Sequence, residues 1–541
     1  MFDYKADKNR VSGDLIKRGL FILIVCTLIL GYIRALSLVN FYGFAAYAQP
    51  DMYSDTLVAR YMWEGKTLFP DGWIFGNQYY VIATPVLATL FYGITGSMNT
   101  SMALATTVMT FLLFIFLYKM LQPYVPLRYR LLAILTFAAS NMAIDIWRNW
   151  ECQLLFLLAS YYACYMITVF VVFGDYVKSV TKEKGRRLFS LVLSVALCFC
   201  TGMQSIRQTA IMIVPLVSFE FLRILYCRII KKMSCDTAFF KPTFHVLIYT
   251  VSNVLGILFI KYLNIPCNTI YGNMGFTGPN GWEKNLNNAI VAIKQIVGYG
   301  DAQSHRNDWF ITVFVVLTIA YVVIALVKIL LSKKWGGVEY YIILCVISIV
   351  ELFVGSIFFD FYTRSIYFFL WFPTVALSQV YLLLIMKNKW KPVLALLILS
   401  LCAMNLHYSY HQSIFEVNYW NKYAADEEVT GREEAKWLCE NGYEVVYGSY
   451  YSLTPIVTES DGRLIGGYWL DDIGMFVAVD HVNSMKIYSP EMNEKAAYYI
   501  HDSDLPKAME YAEPYGGLTC LVRFGDTGLY RCDEQLMIWP E

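Results

Sequence analysis

The chain has 541 residues, 57% of them apolar and only 16% charged, with a net charge of +1 and a mean hydropathy of +0.46. A soluble protein carries roughly a quarter charged residues, so a soluble globular enzyme is excluded, and the near-neutral balance gives no sign of a nucleic-acid partner. Apolar runs of about 20 residues recur, each long enough to cross a hydrocarbon core of roughly 30 Å; the composition is that of a polytopic membrane protein.

The first apolar run, Leu20 to Val39, follows a basic leader with Lys5, Lys8, Arg10, Lys17 and Arg18. It is too long for a signal-peptide core and lacks a small-residue cleavage site, so it is expected to be a retained helix. Spans are predicted at 20–39, 101–118, 131–147, 154–173, 188–204, 208–226, 243–263, 309–331, 338–358, 365–386 and 392–409. The stretch Val81–Ile94 is about 14 residues long and contains Pro85, which suits a helix lying in the interface better than one crossing it.

The distribution of cations supports that choice. With 81–94 not crossing, Lys119/Arg128/Arg130, Lys178 to Arg187, Arg228 to Lys241, Lys333/Lys334 and Lys387 to Lys391 all fall on the cytoplasmic side. The opposite short loops hold little beyond single arginines, as the positive-inside rule requires. The expected topology is eleven spans in the plasma membrane, with the N-terminus cytoplasmic and the C-terminal segment extracellular. The transmembrane part is predicted at 1–410, with a first outer loop at 40–100 and a large outer loop at 264–308; residues 411–541 are predicted to form a small soluble α/β domain. There, EEAKWLCENG and SDLPKAMEYA pattern as helices, EVVYGSYY as a strand, and TCLVRF with GLYRC as a hairpin around Asp526 and Gly528. The chain has thirteen cysteines, of which Cys439, Cys520 and Cys532 lie in the tail; a Cys520–Cys532 bridge is the one disulfide to consider. The tail has no P-loop and no GxGxxG.

The segment from Pro50 to Trp73 carries Asp51, Asp55, Glu64 and Asp71 beside Arg60, Lys66 and several large aromatics. Charge at the edge of hydrocarbon is costly and calls for a reason. Asp51 and Asp55 are four apart, so on a helix they share a face. Held close together, one of them gains proton affinity and becomes a candidate general base for an incoming hydroxyl; the plainer role is helix capping or pairing with Arg60. Arg207 and Arg364 each end a span on the same outer face, where a guanidinium forks onto phosphate at headgroup depth or simply anchors the span. Arg148 and Glu151, between Trp147 and Trp150, form a second charged outer turn, which equally suits an interfacial ion pair. His407 and His411 lie four apart without an acidic third ligand, so no metal site is assigned. The Gly/Asn-rich loop at 264–308 fits either a gating loop or a connector.

The layout of one span, a long acidic outer loop, the passage GKTLFPDGW and a short interfacial helix ending at Gly96 resembles the GT-C superfamily of integral-membrane glycosyltransferases. That superfamily includes the protein O-mannosyltransferase-like and aminoarabinose-transferase-like enzymes, and the paired acids resemble those of Gram-positive bacterial members. The likeness covers about residues 15–410 in layout. It implies a transferase that moves a sugar from a polyprenyl-phosphate donor, with inversion, to a glycan, lipid or protein acceptor. By position it places the catalytic acid at Asp51 or Asp55, with Asp51 favoured because the family's acid comes early in the loop. Glu151 matches the second-turn acid, and Arg207 and Arg364 match the phosphate contacts. The second turn, WRNWE, lacks the family's aspartate, and no metal-binding DxD is evident; no cofactor is implied, and a divalent metal stays open. The alternatives are a transporter or flippase of lipid-linked glycans and a non-enzymatic polysaccharide-assembly protein.

Overall fold

The computed structural model describes residues 2–47, 49–141, 156, 161–181, 187–230, 239–268, 275–297, 309–332, 335–360, 368–410, 417–426, 428–470, 474–479 and 482–539. Among them, seven helices are long and apolar enough to cross a membrane: Ile16–Tyr42, Met98–Leu121, Ala163–Thr181, Thr209–Ile229, Lys241–Leu263, Thr312–Leu331 and Gly337–Phe358. Shorter apolar helices occupy Leu188–Gln204, Trp371–Ile385 and Lys391–His407, and a further helix runs over Leu127–Asn141. Every expected span thus contains described helix. In the span expected at 154–173, the helix that starts at Ala163 runs on to Thr181, with Tyr176 and Val177 fully buried.

The bundle leaves apolar side chains facing outward. Leu188, Phe189, Phe244, Leu247, Leu258, Val316, Val323 and Leu330 are all exposed. In water such a surface is an aggregation liability, whereas in a bilayer hydrocarbon covers it. Helix-to-helix contact is made through small residues: at Gly202 and Gly256, a Cβ would come within 2.2 and 2.1 Å of the facing backbone, so only glycine admits the close approach of Leu188–Gln204 and Lys241–Leu263.

The first helix, α1 (Phe2–Tyr42), leads through a four-residue α2 (Phe44–Tyr47) into α3 (Pro50–Gly65). Pro50 begins α3 where its missing N–H costs nothing, and Asp51 in the first turn suits the positive end of the helix dipole. The GKTLFPDGW passage then turns at Gly72 (φ 76°) into the short strand β1 (Trp73–Ile74). Next comes α4 (Thr84–Thr95), whose 12 residues reach about 18 Å, too short for a bilayer. Here α4 packs between α3 and α5 (Met98–Leu121). Trp63 of α3 lies flat on Gly93, where a Cβ would come within 2.4 Å of the ring.

The large loop after Lys241–Leu263 is not plain coil. It starts bonded to the first loop, with Phe75 N–H donating to Pro266 O at 3.0 Å. It then forms β2 (Gly275–Phe276), paired with β3 (Phe359–Asp360), and the helix Pro279–Ile296.

The tail builds a five-stranded mixed sheet from β4 (Val445–Ser449), β5 (Ile465–Trp469), β7 (Ala496–His501), β8 (Leu518–Phe524) and β9 (Thr527–Cys532), in the order β5-β4-β7-β9-β8. Parallel pairs flank β4, and β7, β9 and β8 run antiparallel. The helices Arg432–Glu440 and Leu505–Ala512 lie where the sequence pattern puts them. The hairpin turns at Gly525 and Asp526, while Gly528 belongs to the strand. Cys520 sits opposite Tyr530 and Cys532 opposite Leu518; both thiols are free, so the Cys520–Cys532 bridge does not form.

One further strand, β6 (Asn483–Ser484), leaves this sheet and pairs antiparallel with β1, aligning Trp73 with Ser484 and Ile74 with Asn483. The first loop and the tail therefore share a two-stranded ribbon although about 410 residues separate them.

Candidate functional site

Asp51 and Asp55 are on helix α3, one turn apart on one face. Their surroundings differ. Asp55 is 0% exposed, and its Oδ1 accepts a 2.5 Å hydrogen bond from the Tyr80 hydroxyl. Its Oδ2 is buried with no partner among the described residues. Burial pushes this carboxyl well above the usual carboxylate range; the Tyr80 bond opposes that shift and the charge of Asp51 adds to it. Asp51 is half-buried, and its Oδ1 accepts a 2.9 Å bond from the hydroxyl of Tyr450 in the tail.

Tyr161, just ahead of the helix Ala163–Thr181, lies within electrostatic reach of Asp55 and Asp51. It is 8% exposed, and its hydroxyl is buried without a partner among the described residues. Leaving a buried polar atom unmatched costs on the order of 1–3 kcal/mol, so two such oxygens at one place point to a ligand that would satisfy them.

Its neighbour Tyr162 contacts Arg207. The Arg207 Nη1 donates to the Tyr162 hydroxyl at 2.8 Å, and the guanidinium faces the Tyr162 ring. The turn bearing Arg207 is fastened to the first loop through Gln204. Its carbonyl accepts from Tyr79 N–H at 2.9 Å, and its side-chain Oε1 accepts from Ile82 N–H at 3.1 Å and Val81 N–H at 3.3 Å. The Tyr165 hydroxyl donates to Gln78 Oε1 at 2.8 Å, a second tie between the span and the loop. Phe369 packs on Tyr162 with ring centroids 6.3 Å apart.

The structure thus gathers Asp51, Asp55 and Arg207 around one loop, with Tyr161 and Tyr162 between the acids and the arginine. Arg148, Glu151 and Arg364 lie outside the described residues. Tyr161, Tyr162 and Tyr450 escape a reading of the sequence alone, since in a chain with 42 tyrosines nothing local distinguishes them, whereas Tyr80 belongs to the aromatics that crowd the acidic loop. Among the described residues no three His, Cys, Asp or Glu side chains come together as a metal site.

Neither a protein-family model nor a curated protein sequence matches the chain. Solved structures do. The fold is ArnT-like. A crystal structure of ArnT from Cupriavidus metallidurans bound to undecaprenyl phosphate superposes with a TM-score of 0.53 at 11% identity, over 95% of this chain and 98% of that one. The apo structure of the same protein gives a TM-score of 0.52 at 10% identity, over 95% and 97%. The expected architecture, a polytopic helical bundle with a small sheet-containing C-terminal region, is therefore present, and the likeness covers 95% of the chain.

Proposed function

We propose that this chain is a membrane glycosyltransferase that moves a sugar from a polyprenyl-phosphate donor to a glycan, lipid or protein acceptor, with inversion at the anomeric carbon. The observation that carries this reading is Asp55, a fully buried carboxylate with one oxygen bonded to Tyr80 and the other unmatched among the described residues, in a fold shared with a protein crystallised with undecaprenyl phosphate.

In this reading Asp55, rather than Asp51, is the base. The Oδ2 of Asp55 takes the proton of the acceptor hydroxyl, whose oxygen attacks the anomeric carbon as the bond from that carbon to the phosphate oxygen breaks. The leaving polyprenyl phosphate keeps the electron pair and needs charge stabilisation rather than a proton. Arg207, held beside the pocket by Tyr162, supplies that charge, and the fork of a guanidinium matches a phosphate. A base with raised proton affinity in a dry pocket is suited to hydroxyl activation near neutral pH. The topology assigned to it has the N-terminus cytoplasmic and the tail on the outer face, where the basic loops after each second span put it.

The test is sugar transfer by the purified protein from a polyprenyl-phosphate sugar in detergent or liposomes, wild type against Asp55→Asn. Transfer by wild type and its loss in the variant support the reading; equal transfer by both removes Asp55 as base. Movement of lipid-linked glycan across liposomes without any transfer would instead identify a flippase.

A further inference from the structure

The tail is joined to α3 along most of that helix. The Tyr450 hydroxyl bonds Asp51 at 2.9 Å, the Gly466 N–H donates to the Tyr53 hydroxyl at 3.2 Å, and Arg60 Nη1 donates to the carbonyl of Gly462 at 2.7 Å. Beyond α3, the start of α5 is held as well, with Asn99 N–H donating to Asp461 Oδ1 and Asn99 Nδ2 to Thr458 O, both at 2.9 Å. Gly462 (φ 86°) packs on the start of α5, where a Cβ would come within 2.6 Å of the Met98 sulfur. Only glycine satisfies both that backbone angle and that clearance.

Tyr450 is itself fixed from behind. Its N–H donates to Trp469 O at 2.9 Å, and its carbonyl accepts from the Thr454 hydroxyl at 3.1 Å. Its ring packs edge-on against Tyr468 at 5.3 Å, which in turn packs on Tyr53 of α3 at 6.1 Å. The phenol that reaches Asp51 is therefore set by the β4–β5 side of the tail sheet and has little freedom to swing away.

We propose that the C-terminal segment is a working part of the transfer site, in which Tyr450 is a positioning residue that fixes the orientation of the Asp51 side chain and so leaves the acceptor hydroxyl to Asp55. This rests on the transferase reading above. The physical basis is the asymmetry between two acids one turn apart. Asp51 Oδ1 is tied to the Tyr450 hydroxyl, whereas Asp55 Oδ2 has no partner among the described residues. Without Tyr450 the Asp51 side chain is free to turn and compete as a proton acceptor, and the acceptor hydroxyl is divided between a productive and an unproductive oxygen.

The experiment is a double-mutant cycle on the full-length protein, measuring sugar transfer for wild type, Tyr450→Phe, Asp51→Asn and the double variant, with melting temperature recorded for each. Tyr450→Phe keeps the ring packing, the β1–β6 ribbon and the Arg60 and Asn99 bonds, so the tail stays docked. The expected result is a roughly tenfold fall in kcat with the donor KM unchanged, and no further fall when Tyr450→Phe is added to Asp51→Asn. Wild-type kcat in Tyr450→Phe overturns the proposal. So does a loss of the same factor in the Asp51→Asn background, which would mean that Tyr450 acts elsewhere. A fully inactive Asp51→Asn beside an active Asp55→Asn also overturns it, since Asp51 would then be the base. If wild type itself transfers no sugar, the transferase reading falls first, and that outcome is recognised before any variant is compared.

Discussion

Two acidic clusters lie near opposite ends of the helix Ala163–Thr181, and they are built on opposite terms. At the end near the first loop, Asp55 has one oxygen and Tyr161 a hydroxyl without a partner among the described residues. At the other end, Glu220 accepts from Arg223 through Nε and Nη2, both at 2.7 Å, from the Tyr176 hydroxyl at 2.6 Å and from the Thr243 hydroxyl at 2.5 Å. Beside it, Asp175 Oδ2 accepts from the Tyr249 hydroxyl and lies 2.9 Å from His245 Nδ1. Asp175 follows Tyr161 by 14 residues on the same helical course, about 20 Å at the rise of an α-helix. The far cluster is closed: its acids have their partners, and together they tie the helices Ala163–Thr181, Val214–Leu225 and Lys241–Leu263. The near cluster is open. A satisfied buried network holds helices in register, whereas an unsatisfied one holds a place for something else.

The sharpest way to break this comparison is Asp55→Asn, expected to lower transfer by about 10²- to 10⁴-fold, the usual contribution of a positioned general base, with the fold retained. A residual rate near wild type would make the open cluster as structural as the closed one. At the far end, Glu220→Ala is expected to do the reverse. It strands the Arg223 guanidinium and costs about 3–5 kcal/mol of stability, read as a lower midpoint in detergent unfolding, with transfer per folded molecule unchanged. Arg207→Ala should weaken binding of undecaprenyl phosphate by about 10- to 100-fold, the loss of roughly 1.5–3 kcal/mol for a charged hydrogen bond. Binding at the wild-type level would detach Arg207 from the phosphate.

The smallest effect concerns stability and pH. Asp55 binds its proton more tightly folded than unfolded, so the stability linked to that proton is present at low pH and is lost as pH rises above about 4, the ordinary carboxylate value. Asp55→Asn removes that loss. Its melting temperature should exceed that of wild type in alkaline buffer, and the gain should shrink towards about pH 4. A gain independent of pH would mean that the carboxyl is not strained by burial. The same variant is thus expected to be more stable and less active, the pattern of a site that sacrifices stability for chemistry.

Much of this was legible before the fold was known. The spans follow from apolar run length, and Pro85 in an apolar stretch of about 14 residues marks Val81–Ile94 as too short to cross. The four-residue spacing of Asp51 and Asp55 places both on one face because α3 is helical there. The tail's strands and helices follow their own patterns. What the pattern did not reveal was the difference between the two acids. The family likeness favours Asp51 by its place in the chain, yet the open, desolvated oxygen belongs to Asp55, and that depends on Tyr80 and Tyr450 arriving from elsewhere.

By itself the sequence determined what must leave water and what must stay there: apolar runs that need lipid, and a helical turn that pairs two carboxylates. These are local properties, fixed by transfer free energy and helical period. Only the tertiary structure decided which carboxylate is closed and which is open, because Tyr450 meets Asp51 across 399 residues, and no local energy term records a contact made at that separation.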